Sequence, residues 1–175
     1  KQMIATQAKD PAGKVSVGLP TSACRGVSAH LIGAVAKRYS NLSLHIIEAM
    51  TGTLDEWVQL GRLDVALLYD HKAFENVAWT EMMVEDLMLV ARTADPILKR
   101  RSVRFSELES FPIVLPGAAH VLRNIIDHIA AREGIKPNVV IESDSLTAIS
   151  QLVKSGYMTI MPHFAMVDEI KRGEM

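Results

Sequence analysis

The stretch GLPTSACRG, residues 18–26, joins an apolar strand to a helix, and the predicted fold depends on it. Before it, KVSVGL (14–19) alternates apolar and polar residues as a strand does, and Pro20 ends the alternation. The apolar residues that follow at helical spacing are Val27, Leu31, Val35 and Tyr39. Thr21 and Ser22 therefore place two adjacent hydroxyls where a helix begins.

Strands and helices alternate along the rest of the chain, which predicts an α/β fold with mostly parallel sheets flanked by helices. The predicted strands after the first are 42–50, 63–69, 77–83, 85–92, 112–116, 138–143 and 157–161. The predicted helices are 21–39, 52–63, 119–134, 145–156 and 164–173. The run at 63–69 is continuously apolar, as in parallel strands buried on both faces. We expect two lobes, with the chain crossing near residues 92–96 and returning near Pro162.

The first helix carries a second apolar stripe beside the first. Its members are Ala29, Ile32, Gly33 and Ala36. A wholly buried helix is apolar all round, so this stripe indicates either extra packing within the lobe or a surface for a partner.

Composition places the chain among ordinary globular proteins. Its 175 residues are enough for one domain or two small lobes. The 19 basic and 20 acidic residues disfavour direct binding of nucleic acid. Cys24 is the single cysteine and cannot form an internal disulfide, and no apolar run approaches the roughly 18 residues of a spanning helix. Because the chain starts at Lys1 and stops without an obvious finishing element, we expect it to be a fragment.

Polar residues follow the predicted strands at four junctions, where open parallel sheets bind ligands. The junctions are Thr21-Ser22, Thr51-Gly52-Thr53, Pro116-Gly117 before His120, and Ser143-Asp144-Ser145. Helix N-termini expose unpaired N–H groups and partial positive charge, which favours small anions, although hydroxyls also bind neutral polar compounds. The alternative is that these residues only cap their own helices.

Motifs for catalysis are missing from the sequence. It has no G-x-S-x-G elbow, H-E-x-x-H pair, phosphate-binding P-loop or G-x-G-x-x-G turn. Its six histidines show no metal-ligand spacing. We therefore predict that the chain is not an enzyme and carries neither a metal nor a cofactor.

Several stretches resemble the effector-binding domain of LysR-type transcriptional regulators. They include GKVSVGLPTS (13–22), the long run from Leu31 to Tyr69, and FSELESFPIVLPGAAHVLR (105–123). The phrases GRLDVALLY (61–69) and ESDSL (142–146) are the most specific. The loop around Val121 departs slightly from the family pattern. At residues 120–123 this chain has HVLR, where many members have HGLR.

The resemblance implies a two-lobed type 2 periplasmic-binding-protein-like fold that binds a small effector in the cleft between its lobes, and the helix starts described above favour an anionic one. It also implies that effector binding alters oligomer geometry, with homodimers or tetramers formed in part by the second stripe of the first helix. DNA is then bound only through an N-terminal helix-turn-helix absent from this chain. The expected location is cytoplasmic, with no membrane partner. The alternative is an extracytoplasmic solute-binding protein of a transporter.

The resemblance also assigns site residues and domain limits. Ser22 matches the family's first effector-contacting hydroxyl and Thr51 the second. The predicted effector-binding residues are Thr21, Ser22, Thr51, Pro116, Gly117, His120 and Ser145. The predicted division is a linker at 1–12, subdomain I at 13–91 and 164–175, and subdomain II at 92–163.

Three further side chains have two interpretations each. Arg123 could hold a carboxylate with two parallel bonds or lie at the surface. Cys24 lies in the first helical turn, where a thiolate is favoured, but a buried inert thiol is the alternative. Tyr69 either lines the cleft or fills the core.

Overall fold

The computed structural model describes residues 11–69 and 76–175. The chain divides into two compact units, Lys1–Ala78 (unit 1) and Trp79–Met175 (unit 2). Most of the predicted linker at 1–12 lies outside the described residues, as do residues 70–75 between the strands predicted at 63–69 and 77–83.

Unit 1 is a parallel three-stranded sheet with two helices. Its elements are β1 (Gly13–Leu19), α1 (Thr21–Arg38), β2 (Leu42–Glu48), α2 (Thr51–Gln59) and β3 (Val65–Ala66). The strand order is β2-β1-β3, so each strand-helix-strand passage returns to a strand parallel to the first. The carboxyl ends of the strands, and with them the starts of both helices, therefore lie at the same edge of the sheet.

The centre of unit 1 is packed closely around Gly18. A Cβ added at Gly18 would lie 2.7 Å from side-chain carbons of both Leu54 and Leu63, a distance that real Cβ contacts do not show. Leu54 is fully buried and Ala23 of α1 has no exposed surface. A glycine is required at this point of β1 because α2 and the segment after it approach the strand directly.

Unit 2 is a mixed four-stranded sheet with helices. Its elements are β4 (Leu87–Val90), β5 (Ile113–Leu115), α3 (Val121–Glu133), β6 (Val139–Glu142), α4 (Leu146–Lys154), β7 (Met158–Pro162) and α5 (Val167–Lys171), with 3₁₀ helices at Pro96–Lys99, Phe105–Ser110 and His163–Met166. The strand order is β4-β7-β5-β6, in which β4 is antiparallel to β7 and the other pairs are parallel. The predicted α/β class with mostly parallel sheets is confirmed.

A continuous apolar core fills unit 2. Strand residues Ile113 and Leu115 pack in one cluster with Ile126 of α3, Ile149 of α4 and Met166, each with at most 1% of its surface exposed. Polar groups within this unit are bonded where they are buried. The Thr159 hydroxyl donates to the Val114 carbonyl oxygen at 2.8 Å, which satisfies it at the centre of the sheet.

The last residues of the chain pack within unit 2. The Thr93 hydroxyl donates to the Gly173 carbonyl, Lys154 pairs with Glu174, and Ser150 donates to the buried carboxylate of Glu169. The expected division instead grouped 164–175 with subdomain I and began subdomain II at residue 92. These bonds, and the burial of Ala165 and Met166 in the unit 2 core, are the physical reason for the different grouping.

Three predicted strands and two helices differ clearly in the structure, since the helix predicted at 52–63 is Thr51–Gln59. Residues 77–83 form no strand, and residues 81–84 are exposed. The strand expected at 63–69 is reduced to Val65–Ala66 at the edge of the sheet, and Val65 is 53% exposed rather than buried on both faces. β4 is shorter than the predicted 85–92. The final helix begins as a 3₁₀ turn before α5.

Candidate functional site

In unit 1 the predicted site residues lie at the starts of α1 and α2. The N-cap positions are Pro20 and Met50, whose side chains make no capping hydrogen bond. Thr21 and Ser22 are therefore the first two residues inside α1, and Thr51 is the first inside α2, rather than caps. All three are half-buried. Because β1 and β2 are paired and parallel, the structure brings these hydroxyls to one edge of the sheet.

Tyr69 joins this group of hydroxyls. The Ser22 and Tyr69 hydroxyls lie 3.0 Å apart and are hydrogen-bonded, across 47 positions of sequence. Tyr69 follows β3, so it reaches the same edge from the third strand. The prediction singled out Tyr69 without placing it in the site, although its position after a parallel strand is the signal that could have included it.

In unit 2 the predicted residues lie after β5 and β6. Pro116 is buried, while Gly117 and His120 are half-buried. Gly117 N–H donates to Asp144 Oδ1 at 2.9 Å, and Ser143 N–H donates to the Leu115 carbonyl at 2.9 Å. The structure thus joins the two loops that the sequence placed at neighbouring strand ends. Asp144 belongs to a junction that was recognised, but it was not chosen as a site residue.

His120 and Ser145 cap their helices, as the capping alternative proposed. His120 Nδ1 accepts from Leu122 N–H at 3.2 Å, and the Ser145 hydroxyl oxygen accepts from Ala148 N–H at 3.3 Å. An Nδ1 that accepts a hydrogen bond carries no proton, so the neutral ring has its N–H at Nε2. Burial lowers the pKa of His120, and the Asp144 carboxylate opposes that shift. Helix capping does not exclude a contact from the remaining ring nitrogen or hydroxyl hydrogen.

Arg123 holds the loop that begins at Pro116. Its guanidinium donates to the Pro116 carbonyl at 3.2 Å, to Glu142 Oε1 at 2.6 Å and to Asp127 at 2.9 Å. Only 15% of the Arg123 side chain is exposed. These internal acceptors occupy the guanidinium, which argues against a two-bond grip on a ligand carboxylate.

Cys24 is half-buried on α1, one turn after the helix start. Burial raises the pKa of its thiol, and the nearby Glu48 carboxylate raises it further, while a hydrogen bond with Ser28 lowers it. The thiol is therefore protonated at neutral pH. The local charge opposes the thiolate that the position alone would favour.

Within residues 11–69 and 76–175, no group of three or more His, Cys, Asp or Glu side chains is arranged to hold a metal ion. In the same part of the chain, none of the helices has the length and apolarity that crossing a membrane would require.

A family model described as the LysR substrate binding domain matches residues 8–175, nearly the whole chain. The chain belongs to the LysR family. This confirms the resemblance, and with it the expectation that the chain is not an enzyme, since the matched curated relatives are described as transcriptional regulators.

Individual members of the family are similar over most of the chain. The uncharacterized HTH-type transcriptional regulator YybE of Bacillus subtilis is 25% identical over 172 residues, which is 98% of this chain and 59% of YybE. The Corynebacterium glutamicum OxyR C206S mutant, H2O2-bound, is 25% identical with a TM-score of 0.80 and matches 94% of this chain and 53% of its own. This LysR domain thus spans just over half the length of both proteins.

One of the similar structures is an isolated effector binding domain, of which this chain covers a larger share. The effector binding domain of QuiR in complex with shikimate has a TM-score of 0.74 and 18% identity, over 91% of this chain and 78% of its own. That likeness supports the fold, and it confirms the predicted two-lobed architecture.

Proposed function

We propose that this LysR domain senses a small anionic effector for a DNA-binding transcriptional regulator. In this proposal the effector binds in the cleft that the family resemblance implies, and the intact protein binds DNA through a separate helix-turn-helix. The effector shifts the geometry of a cytoplasmic homodimer or tetramer, and this requires that it bind one arrangement more tightly than the other. The match to relatives described as HTH-type regulators favours this reading over a solute-binding protein.

The main support for an anionic effector is the arrangement at the N-terminal ends of the two helices in unit 1. Pro20 and Met50 offer no capping side chain, so the first N–H groups of α1 and α2 are not satisfied by a cap. Such groups, with the partial positive charge of the helix end, suit a carboxylate. The hydroxyls of Thr21, Ser22 and Thr51 lie at the same helix starts and supply further donors.

The apolar outer side of α1 supports an oligomer. Ala29, Ile32 and Ala36 are exposed, with 46% of Ile32 open to solvent, so this stripe is not used for packing within unit 1. We propose it as a surface for a second copy of the protein, as the family resemblance implies.

A thermal-shift screen of organic acids and amino acids, with shikimate included, tests the effector proposal. A compound that raises the melting temperature is then measured by calorimetry against Ser22→Ala and Thr51→Val. Each substitution removes a hydroxyl and is expected to weaken binding by about 1 kcal/mol, the typical value of one hydrogen bond. Ser43→Ala, at an exposed position of β2, serves as the control and should bind as the parent does. Unchanged affinity in both site variants would show that the effector binds elsewhere.

A further inference from the structure

In the loop after β5 (residues 116–120), the backbone N–H of Gly117 is already hydrogen-bonded within the protein. Gly117 N–H donates to Oδ1 of Asp144 at 2.9 Å, and Asp144 is exposed at the surface of unit 2. We propose that Asp144 is a specificity-determining residue of the effector site. Its carboxylate takes the position that an effector carboxylate would need at Gly117, so the effector group that contacts this loop is uncharged. This inference rests on the proposed function, because it assigns a role at the same site.

Both partners of this hydrogen bond are fixed by the sheet. Gly117 follows β5 and Asp144 follows β6, and these strands are parallel neighbours in which Leu115 is paired with Glu142. A second bond, from Ser143 N–H to the Leu115 carbonyl, joins the two loops beside the first. The carboxylate is thus held against the Gly117 N–H, and a ligand would have to break a charge-assisted hydrogen bond to replace it.

The loop is held on its other side by Arg123. Its guanidinium bonds the Pro116 carbonyl, and His120 N–H donates to the Gly117 carbonyl at 3.0 Å. Because the carbonyl of the Pro116–Gly117 peptide and the carbonyl of the next peptide are both bonded, the loop has few ways to turn the Gly117 N–H toward a different acceptor. Preorganised groups of this kind favour one ligand chemistry over others.

Charge around the loop also opposes an anion. The Arg123 guanidinium is paired with the carboxylates of Asp127 and Glu142, and Asp144 adds a third carboxylate. His120 contributes no compensating charge in the neutral form that caps α3. A second carboxylate beside Asp144 would be repelled, whereas a hydroxyl or amide group can accept from His120 Nε2–H or donate to Asp144 Oδ2.

Acetate is the probe that tests whether Asp144 excludes an anion from the loop. In the 175-residue chain, the Gly117 amide resonance is followed by NMR during an acetate titration of the parent, Asp144→Ala and Asp144→Asn. We expect acetate to replace the missing carboxylate in Asp144→Ala and to bind there about tenfold more tightly than to the parent, the range given by a hydrogen bond to a charged group. Asp144→Asn should gain less acetate affinity than Asp144→Ala, because its amide oxygen still accepts from Gly117 N–H although the charge that repels acetate is gone.

Glu133→Gln is the matched control, since it removes one negative charge at the far end of the 13-residue helix α3, about 20 Å from His120 at 1.5 Å per residue. It should leave the acetate titration unchanged. Equal acetate affinity in the parent and Asp144→Ala would overturn the inference, as would an equal gain in Asp144→Asn. Resonances elsewhere in unit 2 report whether each variant keeps its fold.

Failure of this inference is distinguishable from failure of the proposed function. The screen of organic acids measures whether any effector stabilises the chain through the hydroxyls of unit 1, and acetate at Gly117 measures only the exclusion by Asp144. A carboxylate effector that contacts Gly117 N–H directly in a solved complex would retain the proposed function and overturn the role of Asp144.

Discussion

The two longer helices of unit 2 start in the opposite way from the two helices of unit 1. In unit 1, α1 and α2 begin after Pro20 and Met50, which cannot cap, and the hydroxyl residues come one or two positions later. In unit 2, α3 and α4 begin after His120 and Ser145, and both side chains bond the helix N–H groups. The difference teaches that a capping side chain uses one polar atom on the N–H groups of its own helix, whereas a side chain one position later does not. A shift of one position along the chain decides between the two roles.

Two isoleucines, one on α3 and one on α1, give a second contrast between the units, in how much of each side chain is exposed. α3 places Ile126 in the core of unit 2 with 1% of its surface exposed, whereas Ile32 of α1 is 46% exposed. Ile126→Ala should therefore lower the free energy of unfolding by about 2–5 kcal/mol, through lost burial and the cavity it leaves. Ile32→Ala should cost less than about 0.5 kcal/mol, as surface substitutions do. Urea denaturation measures both changes, and similar losses would contradict the contrast between the helices.

Removal of a helix-start hydroxyl gives the next largest expected effect. Ser145→Ala deletes the cap on Ala148 N–H and should destabilise the chain by about 1 kcal/mol. Thr51→Ala lies at the first helical position of α2 and removes no cap, so its unfolding free energy should stay within about 0.5 kcal/mol of the parent. Thermal and urea unfolding of the two variants compare them directly. A larger loss for Thr51→Ala would mean that its hydroxyl is structural and the comparison fails.

The smallest effect expected is a pH dependence at the start of α3. Burial lowers the pKa of His120 in the folded chain relative to its ordinary value of 6.5, so the unfolded chain binds the proton more readily. The contribution to stability is therefore fully present above pH 6.5 and is lost as the pH falls below it. His120→Asn keeps an acceptor for Leu122 N–H but does not titrate in this range. Its melting temperature should fall less than that of the parent between pH 7 and 5; parallel curves would exclude His120 as the source.

Much of the fold could be predicted from the sequence because periodicity reports burial. The type and order of most elements follow from local pattern, and the core positions of α3 and α4 repeat at helical spacing. The strand expected at 77–83 shows where pattern fails. Its residues are mostly apolar, but a strand also needs a neighbouring strand to pair with, and in the structure residues 77–83 form no strand.

The strand-to-helix junctions of the candidate site could be predicted from the sequence, but the individual hydrogen bonds within the site could not. The rule that ligands meet the carboxyl ends of parallel strands led to Thr21, Ser22, Thr51 and the loop after β5. The pairing of Ser22 with Tyr69 and of Gly117 with Asp144 spans 47 and 27 positions, and such contacts depend on the register of the sheet rather than on neighbouring residues. Their part in effector binding remains a prediction.

Gly18 is a residue whose influence extends beyond its own strand. Leu54 rests against the bare α-carbon there, and Leu54 lies three positions after Thr51 on the same helix. A methyl group at Gly18 would force the buried ends of the Leu54 and Leu63 side chains to shift, and Leu54 would transmit that change to the start of α2. Under the proposed function, variation at this solvent-shielded glycine would change effector binding without altering any atom that contacts the effector.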